Sequence, residues 1–337
     1  LMFRVFLLNI FFYVPIWVLR LVYFKRRDPL RGHLFDFQSS VILDVIPKKD
    51  LSIISDNDIQ ETRDLINEKR SQYRLSLKPK EDVAKKDHNI CIENKLLLRE
   101  YIPNKLESNK AILYFHGGGY VLSSIETHDL MVSFLSDQLK TKTFSLEYRL
   151  SPENKHPNAL HDALKAYEWI IEQGYNANDI SFCGDSAGAH LAASLVHHLV
   201  MNNMSIPNSQ MLIYPMCDPS CSSESHSVLY EGYLLTKKNM VWFWDKFGNN
   251  ESKIDDPTFN LLKFDSKKRV PTTIIVTAGF DPLCDEAEEY AFLLHQNDNN
   301  VKQLHYPSMF HGFASMTRLK AARLATEDFL REYKKIL

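Results

Sequence analysis

Apolar and polar residues follow a regular rhythm from Ile90 to the end of the sequence. Short apolar runs alternate there with longer segments in which apolar residues recur every three or four positions. The short runs predict strands and the longer segments predict amphipathic helices. We place strands at 90–101, 111–115, 143–148, 180–183, 211–214, 273–278 and 301–306. Because strands and helices alternate, we predict a mainly parallel sheet with helices on both faces.

The alternation lapses between residues 215 and 269. Within this stretch, the segment YLLTKKNMVWFWDKF has a helical pattern and many aromatic residues. In a parallel sheet the chemistry gathers at the carboxyl ends of the strands. We expect the part near 215–250 to lie over the entrance to such a site. Core packing is the ordinary role for any one of Trp242, Phe243 and Trp244.

Residues 28–88 are polar and charged, with one helical pattern. This pattern begins near Ser55 and Asp56, which are residue types that cap helix N-termini. The apolar residues on one of its faces are Ile59, Ile66 and Tyr73. We therefore predict a peripheral helical region at 28–88, followed by a main domain at 89–337.

An apolar segment occupies residues 1–27. Apolar residues dominate from Val5 to Leu19, with Asn9 and Pro15 as interruptions, and a basic cluster follows at 25–27. This run is shorter than the roughly 20 residues of a spanning helix, and the absence of a small-residue cleavage site after it disfavours a cleaved signal peptide. Three interpretations remain open, namely a membrane anchor or interfacial helix, a helix docked on the active-site cap, and part of a propeptide. We expect a cytoplasmic protein, with membrane contact through residues 1–27 as one alternative.

The length and charge of the chain narrow the function classes. A chain of 337 residues suits one large domain with an appended cap. The 40 basic and 42 acidic side chains give a formal net charge of -2, which offers no electrostatic basis for binding nucleic acid. We expect a small or neutral partner. The oligomeric state stays open, with a homodimer as one alternative.

The five cysteines do not form a recognisable framework. They stand at positions 91, 183, 217, 221 and 284, with no CxxC pair. Cys217 and Cys221 have the spacing of half a metal site, but no second Cys or His pair stands at zinc spacing. We predict free thiols and no metal site.

The sequence ISFCGDSAGAHLAASLVHHL predicts a nucleophile at Ser186. It places Gly-Asp-Ser-Ala-Gly between a short apolar run and a long helical pattern, which is the setting of a nucleophile elbow. Such a turn is strained, and Gly184 and Gly188 are needed where a Cβ would clash with its neighbours. We expect Asp185 to support the elbow.

A run of glycines precedes the elbow by one strand-helix-strand unit. The sequence AILYFHGGGYV predicts a strand that leads into His116 and then Gly117, Gly118 and Gly119. Consecutive glycines allow backbone N–H groups to face a substrate oxygen. A phosphate-binding loop is disfavoured because no Gly-Lys-[Ser/Thr] follows.

Two further residues complete a candidate catalytic set. Asp281 and His311 each follow one of the last two predicted strands, so both are expected at carboxyl strand ends. The chain order Ser, Asp, His is typical of this arrangement. Asp285 is the nearest rival of Asp281, but it falls about one turn into the following helix. We expect only packing or surface roles for His197, His198, His295 and His305.

The motifs together resemble the hormone-sensitive lipase family of esterases, in its bacterial branch. Those that carry the resemblance are HGGGY at 116–120, YRLSPE at 148–153, GDSAG at 184–188, DPLCDE at 281–286 and HGF at 311–313. The sequence departs from the family's usual Gly-Asn after the elbow, with Ala189 and His190 in those places. The resemblance extends from about residue 50 to the C-terminus.

This resemblance implies an α/β-hydrolase fold with a helical cap. It also implies an oxyanion hole built from the N–H groups of Gly118, Gly119 and Ala187, with Gly117 supporting the loop. The expected activity is hydrolysis of small carboxylic esters through an acyl-enzyme, which needs no metal or organic cofactor. A lipase or deacetylase at a membrane or droplet is one alternative, and a non-catalytic ligand-binding module on the same fold is another.

Overall fold

A computed structural model of the protein describes residues 10–25, 27, 29–46, 50–73, 75–93, 95–248 and 254–337. Eight strands form one sheet within these residues. They are β1 (Val83–Cys91), β2 (Leu96–Pro103), β3 (Ala111–Phe115), β4 (Lys142–Glu147), β5 (Ile180–Asp185), β6 (Ser209–Ile213), β7 (Thr272–Phe280) and β8 (Val301–Phe310). Their order across the sheet is β1-β2-β4-β3-β5-β6-β7-β8.

The predicted mainly parallel sheet is confirmed. Strand β4 pairs in parallel with β3, and parallel pairing then continues through β5, β6 and β7 to β8. The first two strands are antiparallel, since β1 pairs with β2 and β2 with β4. Every residue of β3, β5 and β6 is buried, as expected for strands that are covered on both faces.

The prediction of a single strand at 90–101 is wrong. The chain instead makes a hairpin there, with β1 ending at Cys91 and β2 starting at Leu96. Strand β1 begins at Val83, in a stretch without an alternating apolar pattern, and its middle residues are exposed. It lies at the edge of the sheet, where backbone hydrogen bonds to β2 hold it and few of its side chains are buried. A hydrophobic pattern therefore gives no signal for it.

Helices cover both faces of the sheet. Those described are α1 (Ile16–Val22), α2 (Phe37–Val45), α3 (Ile59–Tyr73), α4 (Ile125–Leu139), α5 (Asn158–Glu172), α6 (Ala187–Met201), α7 (Glu224–Val228), α8 (Lys237–Phe247), α9 (Cys284–His295) and α10 (Lys320–Lys334). Helices α5, α6 and α9 contribute to one hydrophobic core, and α4 and α10 contribute to the other. Burial of these apolar faces, at about 25 cal/mol per Å² of apolar surface, is the main source of stability.

The N-terminal segment is only partly described. Residues 1–9, the first third of the predicted apolar helix, lie outside the described residues. In the part that follows, α1 exposes the side chains of Trp17 and Leu21, whereas Leu19 is buried. Among the residues whose structure is described, no helix is both long and apolar enough to cross a membrane.

Helix α8 lies against the glycine run that follows β3. The ring of Phe243 occupies the space that a Cβ on Gly119 would need. Trp242, Phe243 and Trp244 are all buried, which agrees with the packing role expected for each. Two contacts join this region to the earlier helical region, since Asn239 Oδ1 accepts a hydrogen bond from the N–H of Leu51 at 3.1 Å and Lys246 pairs with Asp56 at 2.8 Å.

Candidate active site

Ser186 lies in a sharp turn between β5 and α6. Its backbone has φ 56° and ψ -120°, a conformation that L-residues rarely adopt. The glycines on either side allow the turn, because a Cβ on Gly184 would overlap the carbonyl oxygen of Gly188 and one on Gly188 would overlap that of Phe115. Ser186 is thus held above the sheet at the N-terminus of α6, where the helix dipole favours negative charge.

The side chains of Ser186, His311 and Asp281 form a continuous chain of hydrogen bonds. His311 Nε2 lies 2.9 Å from Ser186 Oγ, and His311 Nδ1 lies 2.7 Å from Asp281 Oδ2. A carboxylate can only accept, so the Nδ1 proton points to Asp281 and leaves Nε2 free to accept the serine proton. Asp281 is fully buried, whereas Ser186 and His311 keep 9% and 8% of their surface exposed. The two reacting groups are therefore reachable, and the carboxylate is not.

The structure separates Asp281 from its rival Asp285. The second oxygen of Asp281 accepts the N–H of Leu283 at 2.9 Å, which fixes the carboxylate in place. Asp285 lies in the first turn of α9, where it pairs with Arg31 at 2.6 Å and accepts the N–H of Ser225 at 2.8 Å. Its oxygens are thus engaged with partners other than His311.

Asp185 joins the elbow to the glycine run. Its Oδ1 accepts the N–H of Gly117 at 2.9 Å and the hydroxyl of Tyr114 at 2.6 Å. Burial alone would raise the pKa of Asp185, but the nearby His128 and these hydrogen bonds hold that pKa well below its usual range. The carboxylate of Asp185 stays charged and holds Gly117 close to the elbow. The expected support of the elbow by Asp185 thus has a definite geometry.

The glycine run after β3 has a positive φ at two of its three residues. Gly118 has φ 127° and Gly119 has φ 61°, which non-glycine residues avoid. The N–H of Ala187 begins helix α6, directly after Ser186. Backbone N–H groups at such positions stabilise a developing oxyanion.

Three residues of the sequence motif at 148–153 take separate partners. The hydroxyl of Tyr148 donates to the carbonyl oxygen of His116 at 2.7 Å. Arg149 forms an ion pair with Asp162. Glu153 pairs instead with Arg63 of α3, which also donates to two carbonyl oxygens of the loops beside the glycine run, those of Val121 and Ser151. The sequence pattern missed Arg63, because a lone arginine in a charged helix carries no local signal.

His190 stands where the family usually has asparagine. Its Nδ1 lies 2.7 Å from the hydroxyl of Tyr120, and its Nε2 lies 3.1 Å from the carbonyl oxygen of Phe259. Burial lowers the pKa of His190 to about 3, so the ring is neutral at pH 7. It serves as a buried link between α6 and two loops.

The described residues include one group of side chains with metal-ligand chemistry, formed by Cys284, Glu288 and His305. It does not include Ser186 or His311. The chain of hydrogen bonds from Asp281 to Ser186 can act without a metal, as a nucleophile beside a general base.

Comparison with known proteins gives a consistent result. The sequence profile of a family described as alpha/beta hydrolase fold matches residues 112–315. The chain is 33% identical to the ethyl acetate hydrolase of Pseudomonas putida over 211 residues, 61% of this chain and 66% of that protein, or just under two thirds of its length. It is 30% identical to the arylesterase of Saccharolobus solfataricus over 260 residues, 75% of this chain and 85% of that one.

Solved structures show the same likeness. A hyperthermophilic esterase from the archaeon Pyrobaculum calidifontis superposes with a TM-score of 0.78 at 28% sequence identity. The superposition covers 89% of this chain and 98% of the esterase. The match therefore includes the strands and helices on both sides of the elbow.

Proposed function

The chain belongs to the α/β-hydrolase family, whose profile matches residues 112–315, and we propose that it is a serine carboxylesterase. The observation that carries the proposal is the hydrogen-bonded series Asp281–His311–Ser186, in which the serine and the histidine keep a small exposed surface and the aspartate keeps none. Esterases among the similar proteins support the same reaction class. The proposed substrates are small carboxylic esters with short to medium acyl chains.

Acylation is the first proposed step. Ser186 Oγ attacks the ester carbonyl carbon while His311 Nε2 takes the hydroxyl proton, and Asp281 holds the imidazole in the required tautomer. The carbonyl oxygen becomes an oxyanion, which the N–H groups of Gly118, Gly119 and Ala187 stabilise. Each such donor contributes on the order of 10²-fold to the rate. The tetrahedral intermediate then expels the alcohol, which receives the proton from His311.

Deacylation reverses the roles of the same groups. Water donates a proton to His311 Nε2 and attacks the acyl carbon, and the proton then returns to Ser186 Oγ as the acid leaves. Every proton in this cycle moves through one ring nitrogen. No metal or organic cofactor enters either step.

Residues 83–88 of the predicted cap region belong instead to strand β1 of the sheet. A cap built from the part of 28–88 before β1 and the segment near 215–250 is proposed to set the substrate size. The hydrogen bond between Leu51 and Asn239 and the ion pair between Lys246 and Asp56 support one cap from both segments. Phe243 lies directly on Gly119, beside the proposed oxyanion donors. An aromatic side chain in contact with the proposed oxyanion loop limits the length of the acyl chain that can bind in position for attack.

Chain-length preference tests this proposal. With p-nitrophenyl esters from acetate to palmitate, we expect kcat/KM to be highest for acetate to octanoate. We expect at least a tenfold fall for palmitate, equivalent to about 1.4 kcal/mol of transition-state stabilisation. Phe243→Leu should move the optimum to longer chains by removing part of the aromatic side chain. Faster turnover of emulsified triacylglycerols than of soluble esters would instead favour a lipase.

Membrane contact through the N-terminal segment is a second proposal, favoured by its exposed apolar side chains. Trp17 and Leu21 are four residues apart on α1 and so share one face, with 68% and 63% of their surfaces exposed. Tyr13 and Phe24 on either side of the helix are 84% and 80% exposed. Aromatic and aliphatic side chains on one face are typical of a helix that lies in a membrane interface.

Sedimentation with lipid vesicles tests this contact. We expect the full chain to sediment with vesicles of phosphatidylcholine and phosphatidylglycerol, and the double variant Trp17→Ser, Leu21→Ser to lose most of that binding. The matched control is Ile92→Ser with Phe292→Ser, since both residues are exposed and apolar but distant in sequence from α1. Equal binding by the two double variants, or no binding by the unmodified chain, would contradict the proposal.

A further inference from the structure

Three side chains with metal-ligand chemistry meet next to the proposed catalytic acid. Cys284 begins helix α9, Glu288 follows one turn later, and His305 projects from β8. One ligand atom from each lies within 4.8 Å of the others. Glu288 Oε1 is 3.5 Å from Cys284 Sγ and 3.1 Å from His305 Nδ1. The spacing along the chain hides this group, because its members come from two elements that meet only in the fold.

Two of the separations are close to the edges of a tetrahedron around zinc. Zinc binds thiolate at about 2.3 Å and imidazole or carboxylate at about 2.0–2.2 Å, which places sulfur and oxygen about 3.6 Å apart and nitrogen and oxygen about 3.4 Å apart. The corresponding distances to Glu288 Oε1 are 3.5 and 3.1 Å. Both distances are therefore within a few tenths of an ångström of the ideal edges, and the third, between Cys284 and His305, is at most 4.8 Å.

The surroundings leave room for a fourth ligand. A cavity of about 350 Å³ opens here and is lined by His33 among others, whose ring centre lies 5.5 Å from that of His305. The hydroxyl of Thr277 lies 3.2 Å from Glu288 Oε1, a contact of the kind that orients a ligating carboxylate. Arg31 also lines the cavity, but Asp285 balances its charge at 2.6 Å.

We propose that Cys284, Glu288 and His305 bind one divalent transition-metal ion, with water or His33 as the fourth ligand. One thiolate, one imidazole and one carboxylate suit Zn²⁺ or Co²⁺ and do not suit Mg²⁺ or Ca²⁺, which prefer oxygen ligands alone. Binding replaces the S–H bond of Cys284 by a metal–sulfur bond, and the thiol proton leaves to solvent.

An ion at this place connects helix α9, which begins shortly after the proposed acid, to β8, which ends just before the proposed base. The N–H of Cys284 donates to the carbonyl oxygen of Asp281 at 3.0 Å, and β8, which carries His305, ends just before His311. The metal site is thus a cross-link between the β7–α9 junction and β8. Its expected role is to stabilise this part of the fold, with no part in the chemistry of ester cleavage.

Titration with Co²⁺ tests the site. The full chain is purified in the presence of a chelator, and the chelator is removed before the titration. We expect one Co²⁺ per chain, with the near-ultraviolet charge-transfer absorption of a thiolate ligand. Zn²⁺ should compete for the same site and raise Tm by about 4 °C at 100 times its Kd. Cys284→Ser should abolish the absorption, and His305→Gln should weaken binding at least tenfold.

Cys91→Ser is the matched control, because Cys91 is also buried but belongs to the edge strand β1, at the opposite end of the sheet. It should keep the absorption and the stoichiometry. Glu288→Gln provides a second ligand variant if Cys284→Ser proves unstable by circular dichroism. The proposal is overturned if Co²⁺ gives no thiolate absorption, or if Cys284→Ser keeps that absorption. If Cys284→Ser is unstable, an unchanged affinity for Co²⁺ in Glu288→Gln overturns it. These readouts do not depend on ester hydrolysis.

Discussion

Replacement of Ser186 by alanine is expected to lower kcat for ester hydrolysis by a factor of about 10⁴ to 10⁶. The variant keeps His311, Asp281 and the glycine run but has no atom to form the acyl-enzyme. What remains is the rate enhancement from substrate binding and the oxyanion donors alone. Steady-state turnover of p-nitrophenyl butyrate, with the pre-steady-state burst of p-nitrophenol, measures both the loss and its cause.

Ser133→Ala is the matched control for this experiment. Ser133 is a buried serine on α4, and among the described residues its hydroxyl has no hydrogen-bond partner. We expect this variant to retain the burst and nearly the full kcat. If Ser186→Ala kept a kcat near that of the unmodified chain, the assignment of the nucleophile would be wrong. If the unmodified chain bound esters tightly without any hydrolysis, a ligand-binding module would replace the esterase proposal.

Asp281→Asn is expected to lower kcat by about 10² to 10⁴ and to change KM little. An amide can donate a hydrogen bond to His311 Nδ1, which favours the tautomer with its proton on Nε2. That ring can no longer accept the proton of Ser186. The buried position of Asp281 also means that solvent does not replace the lost charge.

Asp285→Asn separates this effect from a general loss of negative charge. It is the same substitution four residues later, and it removes only the pairing with Arg31 and weakens the contact with Ser225. A partly exposed ion pair of this kind contributes about 1 kcal/mol or less to stability. We therefore expect kcat within about twofold of the unmodified chain. Similar losses in the two variants would contradict the assignment of Asp281.

The sequence predicted the set Ser186, Asp281 and His311 because each residue follows a predicted strand and lies in a recognisable motif. Parallel strands bring their carboxyl ends to one edge, so three positions distant in sequence could be expected to meet. The hydrogen-bond partners of Asp185 and the contact of Phe243 with Gly119 depend on how loops and helices pack, which residue spacing does not determine.

Other features of the fold have no recognisable pattern in the local sequence. Strand β1 is held by its backbone at the sheet edge, so the sequence analysis placed most of its polar residues in the peripheral helical region at 28–88. His305 was expected to have only a surface or packing role, and its neighbours Cys284 and Glu288 became visible only once β8 lay beside α9. A search for paired cysteines cannot find this pattern, in which a cysteine and a glutamate lie one turn apart on a helix and a histidine lies on the next strand.

The contact between Asp185 and Gly117 has a further consequence for tolerance to acid. The carboxylate of Asp185, next to Ser186 in the chain, accepts the N–H of Gly117, so it holds the proposed oxyanion loop in position relative to the elbow. Because the pKa of Asp185 lies well below the ordinary range, the carboxylate stays ionised and keeps this contact when the solution becomes mildly acidic. Loss of activity on mild acidification should therefore begin with the protonation of other groups, while the position of Gly117 against the elbow is kept.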